Sequence, residues 1–115
     1  QEVILSNPHP TTDATPLVSE LADDPDMLEL LELFLGELPD RLDALAQALD
    51  AHDAETVTRL AHQLKGAGGG YGYPKITDDA KRLECAARDE EPIAQLRAHY
   101  DALAQTCHRA ALAVA

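Results

Sequence analysis

The sequence contains few aromatic side chains. Tryptophan is absent, phenylalanine occurs once, and aromatic residues make up 3% of the chain. The apolar fraction of 45% therefore rests mainly on leucine and alanine, which favour helices, while the β-branched residues that favour strands are few. With 115 residues the chain is long enough for one domain around a single core. We expect an all-α domain that needs neither a disulfide nor a structural metal ion.

Positive charge is also scarce: 9 lysines and arginines face 21 aspartates and glutamates, so the formal net charge is −12. Nucleic acids and anionic membranes bind cationic surfaces, so neither is an expected partner. No apolar run approaches the ~20 residues that span a bilayer, and a signal peptide pattern is absent. Cys85 and Cys107 form no CxxC motif, which favours a reducing cytoplasm. The first residue is Gln1 rather than Met, which favours one module of a longer protein.

Start signals for helices divide the chain. Residues 1–14 have no apolar periodicity, and we interpret them as a flexible tail or linker before a domain of residues 15–115. Thr15-Pro16 combines a capping residue with a proline suited to the first helical position. This pair predicts a short helix over about 16–22.

Four longer amphipathic helices follow. Asp24-Pro25 begins one over about 25–50, and its apolar stripe stays in phase through Pro39, which predicts one bent helix. Asp53 caps the next helix, which ends in the glycine-rich stretch 66–72. Pro74 and Pro92 begin the last two. Together these signals predict an antiparallel up-down four-helix bundle with a short additional N-terminal helix.

Motifs for metal, phosphate or nucleophile chemistry are missing from this bundle. No histidine has a glutamate three residues before it, as the Glu-x-x-His pairs of a di-iron site require. Neither HExxH nor a phosphate-binding glycine loop occurs. No serine or cysteine has the local pattern of a hydrolase nucleophile. We therefore expect no metal, no cofactor and no enzymatic activity of the domain by itself.

His62 differs from the other histidines because it falls opposite the apolar face of its helix. Lys65 follows one turn later, and Gly66 and Gly69 leave the neighbouring surface without side chains. Glycine inside a helix costs about 1 kcal/mol relative to alanine, so its presence here indicates that something approaches the histidine. An ordinary solvated histidine before a glycine-rich helix end is the alternative, and these residues alone do not decide between the two.

Charge is unevenly distributed around this histidine. Residues 59–88 carry six basic and three acidic side chains, a net +3, whereas the remainder of the chain carries −15. A basic surface on an acidic protein can steer an acidic partner toward it. This distribution favours an interaction site over a solvated helix face.

The segment Ala61-His62-Gln63-Leu64-Lys65-Gly66, followed by Gly72, Ile76 and Leu83-Glu84, resembles the signature of histidine-containing phosphotransfer (HPt) domains. Phe34, Pro39 and Leu42 upstream, and the capping Asp53, are also similar to that family, and the resemblance covers roughly residues 17–113. The glycine run 68–70 is richer than usual, and Tyr71 and Pro74 depart from the common pattern.

The resemblance implies a phosphorelay carrier in the cytoplasm. His62 would accept a phosphoryl group from a receiver-domain aspartate or a histidine kinase and pass it to a response-regulator aspartate. The domain would act as a monomer, without its own ATP site, and Mg²⁺ would belong to the receiver. One alternative is a non-phosphorylated helical module that binds a receiver or partner helix. The other is an enzyme, a phosphohistidine phosphatase or a metal-dependent bundle, which the missing ligand spacings disfavour.

The resemblance also assigns roles to side chains around His62. Lys65 can offset the charge of the phosphoryl group. Glu84 matches the family position that hydrogen-bonds the imidazole nitrogen that does not carry the phosphoryl group. A solvated carboxylate paired with Lys81 or Arg88 is the alternative. Docking of the partner is expected at the positions Arg59, Gln63, Gly66 and Gly69, where Gln63 can equally be a plain surface residue.

Overall fold

The computed structural model describes residues 15–113, and within that range it contains four α-helices and no strand. The helices are α1 (Leu28–Asp50), α2 (Ala54–Gly70), α3 (Pro74–Arg88) and α4 (Ile93–Leu112). The prediction of an all-α protein with four long helices is therefore confirmed. None of the four is long and apolar enough to cross a membrane, as judged over the described residues.

The helix boundaries follow from local chemistry. Asp53 caps α2, because its Oδ1 accepts a hydrogen bond from the Thr56 amide at 3.1 Å and its Oδ2 accepts one from the Thr56 hydroxyl at 2.6 Å. These two hydrogen bonds lower the pKa of the Asp53 carboxyl. Pro74 occupies the first turn of α3, where its missing N–H costs nothing. Pro39 lies inside α1, which continues through it as a single helix, as the in-phase stripe predicts.

The core is built from the apolar stripes of all four helices, mostly leucine and alanine. Helices α2 and α3 pack most closely, and Gly68 is the residue that permits it. A Cβ at Gly68 would lie 2.9 Å from Cγ2 of Ile76, closer than real contacts allow. Phe34 of α1 stacks on Tyr71 beyond the end of α2, with ring centroids 4.6 Å apart. These contacts hold α2, and with it His62, between α1 and α3.

The prediction of a short helix over 16–22 is wrong. Residues 15–19 have no regular structure and residues 20–23 form a turn. The amides of Leu17 and Glu20 donate to the carbonyls of Arg109 and Gly72 at 3.0 and 2.8 Å. Since these amides bind α4 and the α2–α3 turn, they do not form the internal bonds of a helix. The predicted tail, residues 1–14, lies outside the described residues.

The same segment is fastened at the α2–α3 turn by Ser19. Its buried hydroxyl donates to the carbonyl of Tyr71 at 2.6 Å. Gly72 has a φ of +81°, a conformation that other residues rarely adopt, and a Cβ there would meet the Ser19 hydroxyl. The segment before α1 is therefore packed against the C-terminal end of α2.

Candidate functional site

His62 lies in the middle of α2 with its side chain 64% exposed. Val57, Ala61 and Leu64 on the same helix are buried in the core. The imidazole therefore stands on the solvent side of the helix, as the helical pattern predicts. A ring in this position is accessible to another protein.

Glu84 of α3 contacts the imidazole from its buried side. Its carboxylate is only 1% exposed, and Oε2 lies 2.7 Å from Nδ1 of His62. Helix α3 is close enough for this contact because Gly68 allows it to approach α2. A buried carboxylate so placed fixes the orientation of a ring that is otherwise free in solvent.

Two cations share the same carboxylate. Lys65 Nζ lies 2.9 Å from Oε1 of Glu84, and an Arg88 guanidinium nitrogen lies 2.7 Å from Oε2. The Arg88 contact is an aligned hydrogen bond. The Lys65 contact is an ion pair, and among the described residues no donor makes a hydrogen bond of good geometry to Oε1. Pairing with Arg88, one of the alternatives left by the sequence, thus exists together with the contact to His62.

These partners determine the ionisation of Glu84. Burial alone would raise the pKa of this carboxyl, but the interactions and charges of Lys65 and His62 outweigh burial and lower the pKa to about 2. Glu84 is therefore ionised at neutral pH and can only accept hydrogen bonds. It follows that Nδ1 of His62 carries the hydrogen, and in a neutral imidazole the lone pair resides on Nε2.

The glycines after His62 serve different purposes. A Cβ at Gly66 would have nothing within 4 Å, so this position is open to an approaching molecule. Gly69 is exposed, and a Cβ there would lie 3.4 Å from the Thr77 hydroxyl. Gly68 and Gly72 are instead required by helix packing and by backbone conformation. The glycine-rich stretch is thus only partly explained by access to the histidine.

Arg59 and Gln63 are exposed on α2 but do not join the cluster around Glu84 among residues 15–113. Gln63 lines a shallow cleft between α1 and α2 together with Asp40, Arg41 and Leu60. It therefore lies on the α1 side of His62, away from Glu84. Arg59 acts on the helix start, where its charge lowers the pKa of Asp53 together with the stronger hydrogen bonds to Thr56.

Asp79 is a second buried carboxylate, which the sequence did not reveal. It is 3% exposed and accepts hydrogen bonds from Lys75, Arg82 and the Thr106 hydroxyl of α4. The available signal was its position three residues after Ile76, on the buried side of α3. Two of the six basic groups of residues 59–88, Lys75 and Arg82, therefore pair with Asp79 and not with Glu84.

Metal binding finds no support in this part of the molecule. Over residues 15–113, no three histidine, cysteine, aspartate or glutamate side chains are placed to hold a metal ion. The cluster around Glu84 contains one carboxylate, one imidazole and two cations.

Comparison with known proteins identifies a family. The model of a protein family described as Hpt domain matches residues 29–110, more than two thirds of the chain. The matched range begins in the first turn of α1 and ends in the last turns of α4. No curated protein and no solved structure matches the chain.

Proposed function

Because the chain belongs to the Hpt domain family, whose members carry phosphoryl groups in two-component signalling, we propose that it is a phosphorelay carrier with His62 as the phosphorylated residue. The phosphoryl group comes from a receiver-domain aspartate or a histidine kinase and leaves to the aspartate of a response regulator. The observation that carries this proposal is the contact of the exposed imidazole, through Nδ1, with the buried carboxylate of Glu84 at 2.7 Å.

This contact prepares Nε2 as the nucleophile. Glu84 holds the hydrogen on Nδ1, so the lone pair of Nε2 is directed toward solvent and toward an incoming acyl phosphate. The ring is fixed at one nitrogen and free at the other. Orientation of this kind is the main contribution that a carrier protein can make, since phosphoryl transfer depends on positioning and charge.

During transfer the O–P bond of the aspartyl phosphate breaks as the Nε2–P bond forms, and the aspartate leaves as a carboxylate. The hydrogen stays on Nδ1, because Glu84, with a pKa of about 2, is too weak a base to remove it at neutral pH. The ring therefore becomes positively charged next to the Glu84 carboxylate, which offsets that charge. The reverse sequence returns the phosphoryl group to the next receiver.

Lys65 supplies positive charge for the phosphoryl oxygens. It lies one turn after His62 on the same helix, and its ammonium and Nδ1 of His62 contact the two oxygens of the same Glu84 carboxylate. The partner docks over the open surface at Gly66 and Gly69, with Arg59 and Gln63 at its edge toward α1. Docking close to the backbone brings the aspartyl phosphate to within about 3–3.5 Å of Nε2, the distance that transfer requires.

We extend the proposal to the arrangement of the bundle, an antiparallel up-down one in a domain that begins at residue 15. It is supported by the register between α2 and α3. Gly68 packs against Ile76. The Lys65 carbonyl accepts a hydrogen bond from the Thr77 hydroxyl at 2.7 Å, and the His62 ring contacts Glu84. Residue numbers rise along one helix as they fall along the other, as in a helical hairpin.

Phosphotransfer from a receiver tests the proposal. A receiver domain labelled with ³²P on its aspartate is mixed with the wild-type protein, and label on the carrier is followed as acid-labile, base-stable phosphate. His62→Gln should take up no label. His108→Gln, which removes an exposed histidine from α4, should be labelled like the wild type.

The same experiment separates the carrier from a non-phosphorylated helical module. Such a module would bind the receiver without taking up label, and His62→Gln would leave its binding unchanged. Wild-type protein that binds a receiver and remains unlabelled would therefore overturn the proposed function.

A further inference from the structure

Glu84 has more cationic partners than one buried carboxylate needs. We propose that Arg88 is a positioning residue that keeps Glu84 paired when Lys65 turns to the phosphoryl group on His62. This inference rests on the proposed function and adds a residue to it. It starts from an inconsistency in the unphosphorylated protein, where the lysine expected at the phosphoryl group is bound to Glu84 at 2.9 Å.

Release of Lys65 would be costly if it were the only cation on Glu84. The carboxylate is 1% exposed, and an ionised carboxylate without a cationic partner is strongly unfavourable in such an environment. Arg88 removes this obstacle, because it binds the other oxygen, Oε2, at 2.7 Å and does not depend on Lys65 for its contact.

The geometry also indicates which cation leaves. Arg88 makes an aligned hydrogen bond to Oε2, whereas the Lys65 contact to Oε1 is an ion pair without such alignment. Lys65 is on the helix of His62, one turn away, and its compact ammonium on a flexible stem turns more readily than a planar guanidinium. Lys65 is therefore the mobile cation and Arg88 the fixed one.

Phosphorylation provides the driving force. A phosphoryl group on Nε2 carries about −1.5 to −2 charges at neutral pH. The strongest negative charge near Lys65 is then the phosphoryl group at the surface and no longer the buried Glu84 carboxylate. With Arg88 in place, Lys65 follows that charge while Glu84 keeps both the guanidinium and the Nδ1 hydrogen. Without Arg88, Glu84 competes with the phosphoryl group for the same ammonium.

A double-mutant cycle on the transfer rate tests this coupling. The variants are Arg88→Gln, Lys65→Gln and the double substitution, each mixed with the same ³²P-labelled receiver in single-turnover reactions. We expect Arg88→Gln to slow transfer by about tenfold, which corresponds to about 1.4 kcal/mol. In the Lys65→Gln background the same substitution should change the rate by less than about twofold, because no lysine remains to be released.

Control variants accompany the cycle. Arg88→Lys should restore most of the rate, since a cation returns to Oε2. Arg82→Gln removes a guanidinium that pairs with a buried carboxylate on the other side of α3, and it should leave the transfer rate unchanged. Should Arg88→Gln fold poorly, the pair Glu84→Gln and Glu84→Gln/Arg88→Gln serves instead, and these two should transfer at equal rates because no carboxylate remains to be compensated.

Each outcome decides one question. Equal slowing by Arg88→Gln with and without Lys65 would show that Arg88 acts on the partner or the phosphoryl group directly, and would overturn the inference while leaving His62 as the carrier. A wild-type rate for Arg88→Gln would overturn it as well. Wild-type protein that takes up no label would overturn both the proposed function and the inference.

Discussion

Nδ1 of His62 lies 2.7 Å from Oε2 of Glu84, although the two residues are 22 positions apart and differ sharply in exposure. The imidazole is largely in solvent and the carboxylate is almost completely buried. An accessible ring is therefore held by a carboxylate that is almost completely buried. The contact occupies Nδ1, and in our proposal Nε2 is therefore the nitrogen that receives the phosphoryl group.

The first prediction concerns this anchor. Glu84→Gln keeps the size of the side chain but removes its charge, so the positive ring formed during transfer is no longer offset. We expect transfer to His62 to slow by at least about tenfold, the effect of losing roughly 1.4 kcal/mol of charge stabilisation. Single-turnover transfer from a labelled receiver measures this. A rate equal to that of the wild type would show that Glu84 does not act on the imidazole.

Glu84 also predicts how stability depends on pH. Its pKa in the folded protein is about 2, below the ordinary value of 4.5, so its ionised form stabilises the fold above pH 4.5. This stabilisation is lost as the pH falls from 4.5 toward 2, because near pH 2 the Glu84 carboxyl becomes protonated in the folded protein as well as in the unfolded chain.

Urea denaturation of wild type and Glu84→Gln at several pH values checks this dependence. The gap in unfolding free energy, on the order of a few kcal/mol at neutral pH, should shrink steadily between pH 5 and pH 3. A gap that stays constant over this range would show that the carboxylate is not held ionised by its partners.

Lys65→Ala should slow transfer by about tenfold and lower the melting temperature only modestly. Half-buried Lys65 pairs with Glu84, but Arg88 remains on that carboxylate after the substitution. Thermal melting and transfer rate on the same sample measure the two effects. A large drop in melting temperature with an unchanged rate would reverse the assignment, making Lys65 structural.

Two neighbouring glycines of α2 should respond in opposite ways. Gly66→Gln adds a side chain where a Cβ meets nothing within 4 Å. This variant should melt no lower than the wild type, since glycine is the poorer helix former by about 1 kcal/mol, yet it should transfer slowly because the side chain obstructs docking.

Gly68→Ala is the matched contrast. Its Cβ would lie 2.9 Å from Cγ2 of Ile76, so the variant should melt lower because α2 and α3 are pushed apart. Thermal melts of both variants, with transfer rates normalised to folded protein, make the comparison. Full transfer by Gly66→Gln would show that this surface is not where the receiver docks.

Local signals predicted most of the helices because the residues responsible act on their own neighbours. Asp53 hydrogen-bonds Thr56 three residues later, and Pro74 begins α3. Thr15-Pro16 gave the same kind of signal and failed. The amides that follow it bind Arg109 of α4 and Gly72, contacts that no local pattern can show.

The site was predicted to a similar extent. Helical periodicity put His62 on the solvent face, and the family resemblance suggested Glu84 as its partner. Burial of Glu84 and the arrival of two cations at its two oxygens depend on how α3 packs against α2. The burial of Asp79 was not predicted for the same reason, since it depends on the contact of Asp79 with Thr106 of α4.

Nuclear magnetic resonance on the phosphorylated protein tests the central claim most directly. With ¹⁵N-labelled histidine, coupling between phosphorus and nitrogen identifies both the residue and the ring nitrogen that carries the phosphoryl group. We predict coupling at Nε2 of His62, with the Nδ1 hydrogen retained and bound to Glu84. Coupling at Nδ1 of His62, or at a nitrogen of any other histidine, would contradict the role assigned to the His62–Glu84 contact.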